Sequence, residues 1–220
     1  MKLILNELDK KYNKKRVLMG ASYTFESGKV YAVVGEKDSG KTTLLKCISG
    51  EESYKYGSID LIDDMGEDVF DYSLVGCTYE NPILPEFLTG YEFIKFFLEV
   101  NSDKITNPLS IDEYFNLVEF DIGERYRMIK TYSVELKNKL AMLSLIILNV
   151  PVMLLDRPVH TNNMSDILKV KEMISKMGDN KIIIVATKSM PVAEQLADEI
   201  VLLNGGVLVN YETFKEEQNV

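Results

Sequence analysis

The tightest constraint on this chain is Gly35-Glu36-Lys37-Asp38-Ser39-Gly40-Lys41-Thr42, which reads G-x-x-x-x-G-K-T. An apolar run, Val30 to Val34, precedes it, and Thr43-Leu44-Leu45-Lys46-Cys47-Ile48 follows with the pattern of a helix start. Strand, glycine-rich turn and helix is the context that a phosphate-binding loop needs. Glycine lets backbone N–H groups curl around an anion without Cβ clashes, and the helix N-terminus adds a favourable dipole. Lys41 can reach the outer phosphates and Thr42 can offer its hydroxyl to Mg²⁺. The candidate nucleotide-binding residues are therefore Gly35, Glu36, Lys37, Asp38, Ser39, Gly40, Lys41, Thr42 and Thr43.

The chain around this loop has 220 residues, 46% of them hydrophobic, enough for one domain with a large core. Its formal charge of −9 argues against a nucleic-acid partner bound through a broad basic surface. Asn6, Glu7 and Asp9 interrupt the apolar start, so no signal peptide is expected. The longest apolar stretch, Leu140 to Leu155, contains Ser144, Asn149 and Pro151 and is too short to span a bilayer. These features predict a cytoplasmic protein in which Cys47 and Cys77 are free, buried thiols.

Along the chain, residues 2–8 and 17–25 read as strands, separated by a charged turn from Asp9 to Arg16 and with an irregularity at Gly20-Ala21. Strands are also expected at 57–62 and 72–78, and the Pro82 and Pro85 segment must be loop. From Thr89 the period becomes helical. Thr89 with Glu92, and Ser110 with Glu113, have capping-box spacing, and a third helix spans Val134 to Leu148. Residues 89–149 are thus a helical insertion. Val152 to Asp156 and Lys181 to Thr187 suit buried parallel strands. Helices are expected at about 164–177 and 191–198, then a hairpin through Asn204-Gly205-Gly206 and a frayed tail from Lys215. Asp156, at the carboxyl end of its run, is placed to act on Mg²⁺ from a strand adjacent to the loop. No His or Cys cluster competes for another metal.

With these motifs in place, nearly the whole chain, about residues 2–213, resembles the nucleotide-binding domain of an ATP-binding-cassette (ABC) transporter. Leu8-Asp9-Lys10-Lys11-Tyr12 with Val17-Leu18 is similar to the family's opening, which assigns adenine stacking to Tyr12. Val75 to Pro82 resembles the loop that carries a glutamine, here Glu80, which would sense nucleotide, reach the metal and touch the membrane subunit. Asp156-Arg157-Pro158 aligns with the family's Asp-Glu-Pro, and the Gly205-Gly206 hairpin with its closing strands. The resemblance implies an α/β phosphate-loop core with an N-terminal antiparallel β subdomain and the helical insertion. It further implies ATP and Mg²⁺ as cofactors, with Thr42, Asp156 and Glu80 at the metal.

The departures fall on the hydrolytic side. The signature Leu-Ser-Gly-Gly-Gln is here Tyr132-Ser133-Val134-Glu135-Leu136, so only Ser133 survives. Val134 fills space that glycine leaves open, and Glu135 sets a negative charge toward the phosphate. Arg157 stands at the catalytic glutamate and cannot act as a base at neutral pH. Lys188 stands at the histidine that contacts the γ-phosphate, and Asn163 at an aspartate that holds two subunits in register. His160, the one histidine, reads as an ordinary loop residue.

The expectation is an ATP-binding subunit of an ABC transporter with weak or absent hydrolysis, because Arg157 and Lys188 favour binding without supplying a base. Its partners would be a second nucleotide-binding domain, in a homo- or heterodimer, and a membrane permease docking near Glu80 and the helical region. It would then sit peripherally at the inner face of the membrane. A nucleotide-sensing regulatory or scaffold protein of the same type is the alternative. A phosphate-loop kinase is disfavoured, since the second half of the chain follows the transporter pattern.

Overall fold

The computed structural model describes residues 1–13 and 15–218. Its centre is a six-stranded sheet of order β5 (Val75–Thr78), β6 (Val152–Asp156), β7 (Ile182–Thr187), β3 (Lys29–Val34), β8 (Glu199–Asn204) and β9 (Val207–Asn210). The strands are parallel except β9, which returns antiparallel to β8. Strands β6 and β7 are wholly buried because both sheet faces are covered, which explains their uninterrupted apolar sequences. Alternate residues serve opposite cores: Met153, Leu155, Ile183 and Val185 meet the helical side, while Leu154, Ile182 and Ile184 meet the other.

The second core lies between this sheet and an antiparallel sheet of order β2 (Lys15–Glu26), β1 (Lys2–Tyr12) and β4 (Tyr56–Ile62). Helix α1 (Lys41–Ile48) is sandwiched there through Leu44, Leu45, Cys47 and Ile48. The expected charged turn from Asp9 to Arg16 is instead mostly strand: β1 continues to Tyr12 and β2 begins at Lys15. Lys14, within that expected turn, lies outside the described residues. The sequence disguised the strand because Lys10 points inward. Its stem is buried, and its ammonium donates to Glu52 (2.8 Å) and to the carbonyl of Ser53 (2.5 Å). The irregularity predicted at Gly20-Ala21 is present, as a register shift that pairs Leu8 with Ala21.

Between β5 and β6 come α2 (Gly90–Val100), α3 (Ile111–Leu117), α4 (Ile122–Arg125) and α5 (Val134–Leu148). Both predicted capping boxes form, Thr89 with Glu92 and Ser110 with Glu113. Strand β5 is shorter than expected, since Tyr72–Leu74 coil into a 3₁₀ turn capped by Asp71. Helices α6 (Met164–Ser175) and α7 (Met190–Leu196) follow β6 and β7. The tail expected to fray from Lys215 carries helix α8 (Tyr211–Gln218), steadied at its start by Asn210, which accepts from the Glu212 amide at 2.9 Å. Asn219 and Val220 lie outside the described residues.

Leu154 is fully buried at the middle of β6, between α1 and the neighbouring strands. Leu154→Ala should cost about 2–5 kcal/mol of unfolding free energy. Urea denaturation would show this as a lowered midpoint at unchanged slope, and a loss under about 1 kcal/mol would contradict this account of the core.

Candidate functional site

The glycine-rich loop leaves β3 at the middle of the sheet. Two of its glycines are required by space. A Cβ on Gly35 would meet Ser39 Oγ at 2.6 Å and the carbonyl of Leu203 at 2.7 Å. One on Gly40, whose φ is +105°, would meet Val17 Cγ1 at 2.6 Å. Asp38 holds the left-handed region at φ +61°, which aspartate tolerates better than most residues. The loop closes with the Ser39 amide donating to the carbonyl of Glu36 and the Leu44 amide to that of Gly40. Glu36, Lys37 and Asp38 lie on its outer surface, while Thr43 is in the first turn of α1.

Lys41 is only 7% exposed. Its ammonium folds back to donate to the carbonyls of Gly35 (2.8 Å) and Glu36 (2.6 Å) and to Ser39 Oγ (3.1 Å). Burial pushes its pKa down, and the charges of Arg157 and Lys188 push the same way, against Asp156 and Asp38. A lysine so placed is a cation in a partly desolvated corner of mixed charge, and an arriving phosphate would relieve it.

Thr42 Oγ1 donates to Asp156 Oδ2 at 2.6 Å, joining the start of α1 to the end of β6. The expectation that Asp156 lies on the strand adjacent to the loop is corrected by the topology. Strand β7 intervenes between β3 and β6, and the first turn of α1 spans the gap. Burial pushes the Asp156 pKa up, opposed by the Thr42 hydrogen bond, while the nearby Glu80 charge adds to the rise. Among the described residues no group of three or more His, Cys, Asp or Glu side chains could hold a metal alone. A hydroxyl beside one buried carboxylate nonetheless fits Mg²⁺, which keeps waters and takes oxygen donors from phosphates. Thr42 and Asp156 would hold that ion.

Tyr12 lies at the end of β1, 40% exposed, with the Lys10 ammonium 4.8 Å from its ring centroid. The Lys10 cation takes up part of the ring surface, and the partial exposure leaves the rest available for stacking.

Glu80 and Arg157 meet as an ion pair, Arg157 Nη1 donating to Glu80 Oε1. Sequence reasoning treated the two positions separately and missed this, though a new carboxylate at one site position and a new guanidinium at another were a readable signal. Lys188 is exposed, beyond β7, and Ser189 beside it caps α7 and donates to Asn162 Oδ1 at 2.7 Å.

The signature-like stretch separates into different jobs. Tyr132 is a core residue, 7% exposed, packed on Phe120 with its hydroxyl donating to the carbonyl of Glu124. Ser133 is the N-cap of α5 and accepts from the Leu136 amide at 3.2 Å. Val134 and Glu135 are exposed in the first turn, and Leu136 packs partly inward. Backbone and Ser133 hydrogen bonds hold the Glu135 carboxyl below its ordinary pKa, so the helix end already carries an anion. Asn163 serves as the N-cap of α6, accepting from Ser165 at 3.0 Å. His160 is not an idle loop residue: its Nε2 lies 2.5 Å from Asn138 Nδ2, which also donates to the carbonyl of Glu80.

A groove of about 780 Å³ runs from Thr42 and Asp156 past Thr78–Leu84 to Phe93 and Phe97. Phe93 is buried, Phe97 half-buried and Phe96 exposed, so the aromatic set of α2 is divided between core and surface. Ile83, on the rim, is fully exposed. No helix among the described residues is long and apolar enough to cross a membrane.

A model of the ABC transporter family matches residues 18–160. The chain is 26% identical over 208 residues to the uncharacterized ABC transporter ATP-binding protein YdbJ of Bacillus subtilis, covering 93% of this chain and 67% of that protein. It is also 26% identical over 231 residues to the sulfate/thiosulfate import ATP-binding protein CysA of Pectobacterium atrosepticum, at 100% and 68% coverage. A solved ATP-binding subunit of an ABC transporter superposes with TM-score 0.80 at 18% identity, covering 100% of this chain and 94% of that one. The dimeric ATP-binding cassette MJ0796 bound to ADP and Pi gives 0.78 at 18% identity, with 94% and 96% covered. The fold is that of the ABC ATPase.

The loop geometry makes a specific demand at Gly40. Gly40→Ala should destabilise by about 1–3 kcal/mol through backbone strain and the clash with Val17. Adding Val17→Ala should relieve the clash but not the strain, so thermal unfolding of the double variant should remain below that of Val17→Ala alone. Equal melting points for those two proteins would contradict the strained φ.

Proposed function

The chain belongs to the ABC transporter family, and from that premise we propose that it is the ATP-binding subunit of a transporter that holds Mg-ATP and hydrolyses it slowly or not at all. The observation that carries this is the contrast within one site. Lys41 is gathered into the loop and Thr42 sits 2.6 Å from Asp156, whereas the next position, Arg157, offers no base. Binding would use Tyr12 on the adenine, Gly35 through Thr43 around the phosphates, and Thr42, Asp156 and Glu80 toward the metal. Mg²⁺ when bound would neutralise phosphate charge. The chain's own groups would supply position: Lys41 as the buried cation, Asp156 as the carboxylate that orients the Thr42 hydroxyl.

Residues 1–220 form one cassette in this reading, with 89–149 as its helical subdomain. The relatives named as import ATP-binding proteins support a permease partner for this chain. The groove between Glu80 and α2 suits that partner, since exposed Ile83 and Phe96 border it. Such docking would place the subunit at the cytoplasmic face of a membrane. A second cassette would complete the nucleotide site, as the dimeric MJ0796 structures suggest by analogy. The exposed Val134 and Glu135 at the N-terminus of α5 would make that contact weak, because the helix end is already capped by Ser133 and carries Glu135.

Isothermal titration calorimetry tests the binding half. ATP with Mg²⁺ should bind at micromolar to submillimolar concentration. Lys41→Ala should weaken it by about tenfold or more, the size of a charge-assisted contact. No heat of binding at millimolar ATP would refute the proposal.

A further inference from the structure

The pairing of Glu80 with Arg157 links positions 77 residues apart, at the mouth of the site. Both side chains keep access to water, at 36% and 30% exposure. An ion pair in that setting contributes little net stability and yields readily to a stronger competitor. Arg157 is also strained: its φ is +50°, a region that a long side chain seldom occupies, held by its amide donating to the carbonyl of Ala186 at 2.9 Å. A second clasp holds the same residue through its backbone. Buried Asn138 of α5 donates to the backbone carbonyl of Glu80 at 3.2 Å while its amide meets His160. The loop carrying Glu80 is therefore fixed by its side chain to the end of β6 and by its backbone to the helical region.

We infer that Arg157 is the γ-phosphate-reading residue of this chain and that Glu80 holds it in reserve, so that a nucleoside triphosphate exchanges the pair and a diphosphate leaves it closed. This rests on reading the site as a nucleotide site. A guanidinium matches a terminal phosphate in fork geometry, and a phosphate carrying up to two charges outcompetes a single carboxylate. The triphosphate thus has the differential affinity for the opened pair that a conformational change requires. Once Arg157 turns to phosphate, Glu80 is released beside Asp156, and the loop loses its side-chain attachment to β6. That loop lines the groove that ends at Phe93 and Phe97. The chain would then report triphosphate to the groove by binding alone, with no hydrolysis.

Backbone ¹⁵N order parameters of Tyr79, Glu80, Asn81 and Ile83 test this, with saturation by Mg-ATP or Mg-ADP verified by calorimetry. With ATP they should fall from the rigid range near about 0.85 toward the flexible range below about 0.6, while ADP leaves them unchanged. Arg157→Ala without nucleotide should be as mobile here as the ATP-bound parent, and its ATP affinity should fall about tenfold relative to its ADP affinity. The charge-reversed double variant Glu80→Arg with Arg157→Glu should restore the rigid loop without nucleotide, and so separates the pair from general damage to the fold. Equal responses to ATP and ADP, a rigid loop in Arg157→Ala, or a mobile loop in the charge-reversed protein would each overturn the inference. Failure of both nucleotides to bind would overturn it together with the nucleotide-site reading. Binding that is insensitive to the pair would overturn the inference alone.

Discussion

The contact between the Thr42 hydroxyl and the Asp156 carboxylate holds the site together. It joins the first turn of α1 to the carboxyl end of β6 across an intervening strand. Several otherwise separate requirements converge on it: Gly40 must take a positive φ to launch α1, β6 must be buried on both faces, and the loop must fold over Lys41. A buried carboxylate with one short hydrogen bond and a raised pKa costs the folded protein free energy, which a bound cation would offset. That cost is understandable where the carboxylate exists to hold an ion and is hard to explain as scaffold.

Around this junction the charges are arranged unusually. The corner holding Lys41 feels Asp156 and Asp38 as well as Arg157 and Lys188, acids and bases interleaved around the loop. The carboxylate expected next to Asp156 is found instead on the opposing loop, as Glu80, where it neutralises the arginine that displaced it. Two departures from the family pattern thus compensate each other locally. A further departure, Val134-Glu135, is compensated differently, since Ser133 and Glu135 satisfy the helix end within the chain itself. In the proposed reading, each change would remove a feature of hydrolysis.

Much of this was legible in the residues. The phosphate loop, β6, α5 and both capping boxes follow from motifs whose physics is local: glycine where φ is positive, Ser or Thr three residues before Glu, apolar runs in buried strands. What was not legible was non-local. Lys10 hid the second half of β1, because a lysine with its stem buried and its head on Glu52 looks from sequence like surface. The stretch from Lys215 reads as too polar to order, yet as far as Gln218 it continues the exposed helix α8. The position of β6 one strand away from the loop strand is a matter of topology that no motif encodes. Tyr132 looked like part of a site because of its neighbours in sequence, although packing on Phe120 decides its role. The Glu80–Arg157 pair and the Asn138–His160 contact needed the fold to bring distant segments together.

The central claim is that binding and hydrolysis are separated in this chain, and the most direct measurement is the steady-state release of phosphate from Mg-ATP by the purified protein. The account predicts a rate far below about 1 s⁻¹, the low end of ordinary enzyme turnover, at ATP concentrations that saturate the site. Turnover at or above that value would show that a base acts in this site despite Arg157, and would contradict the account.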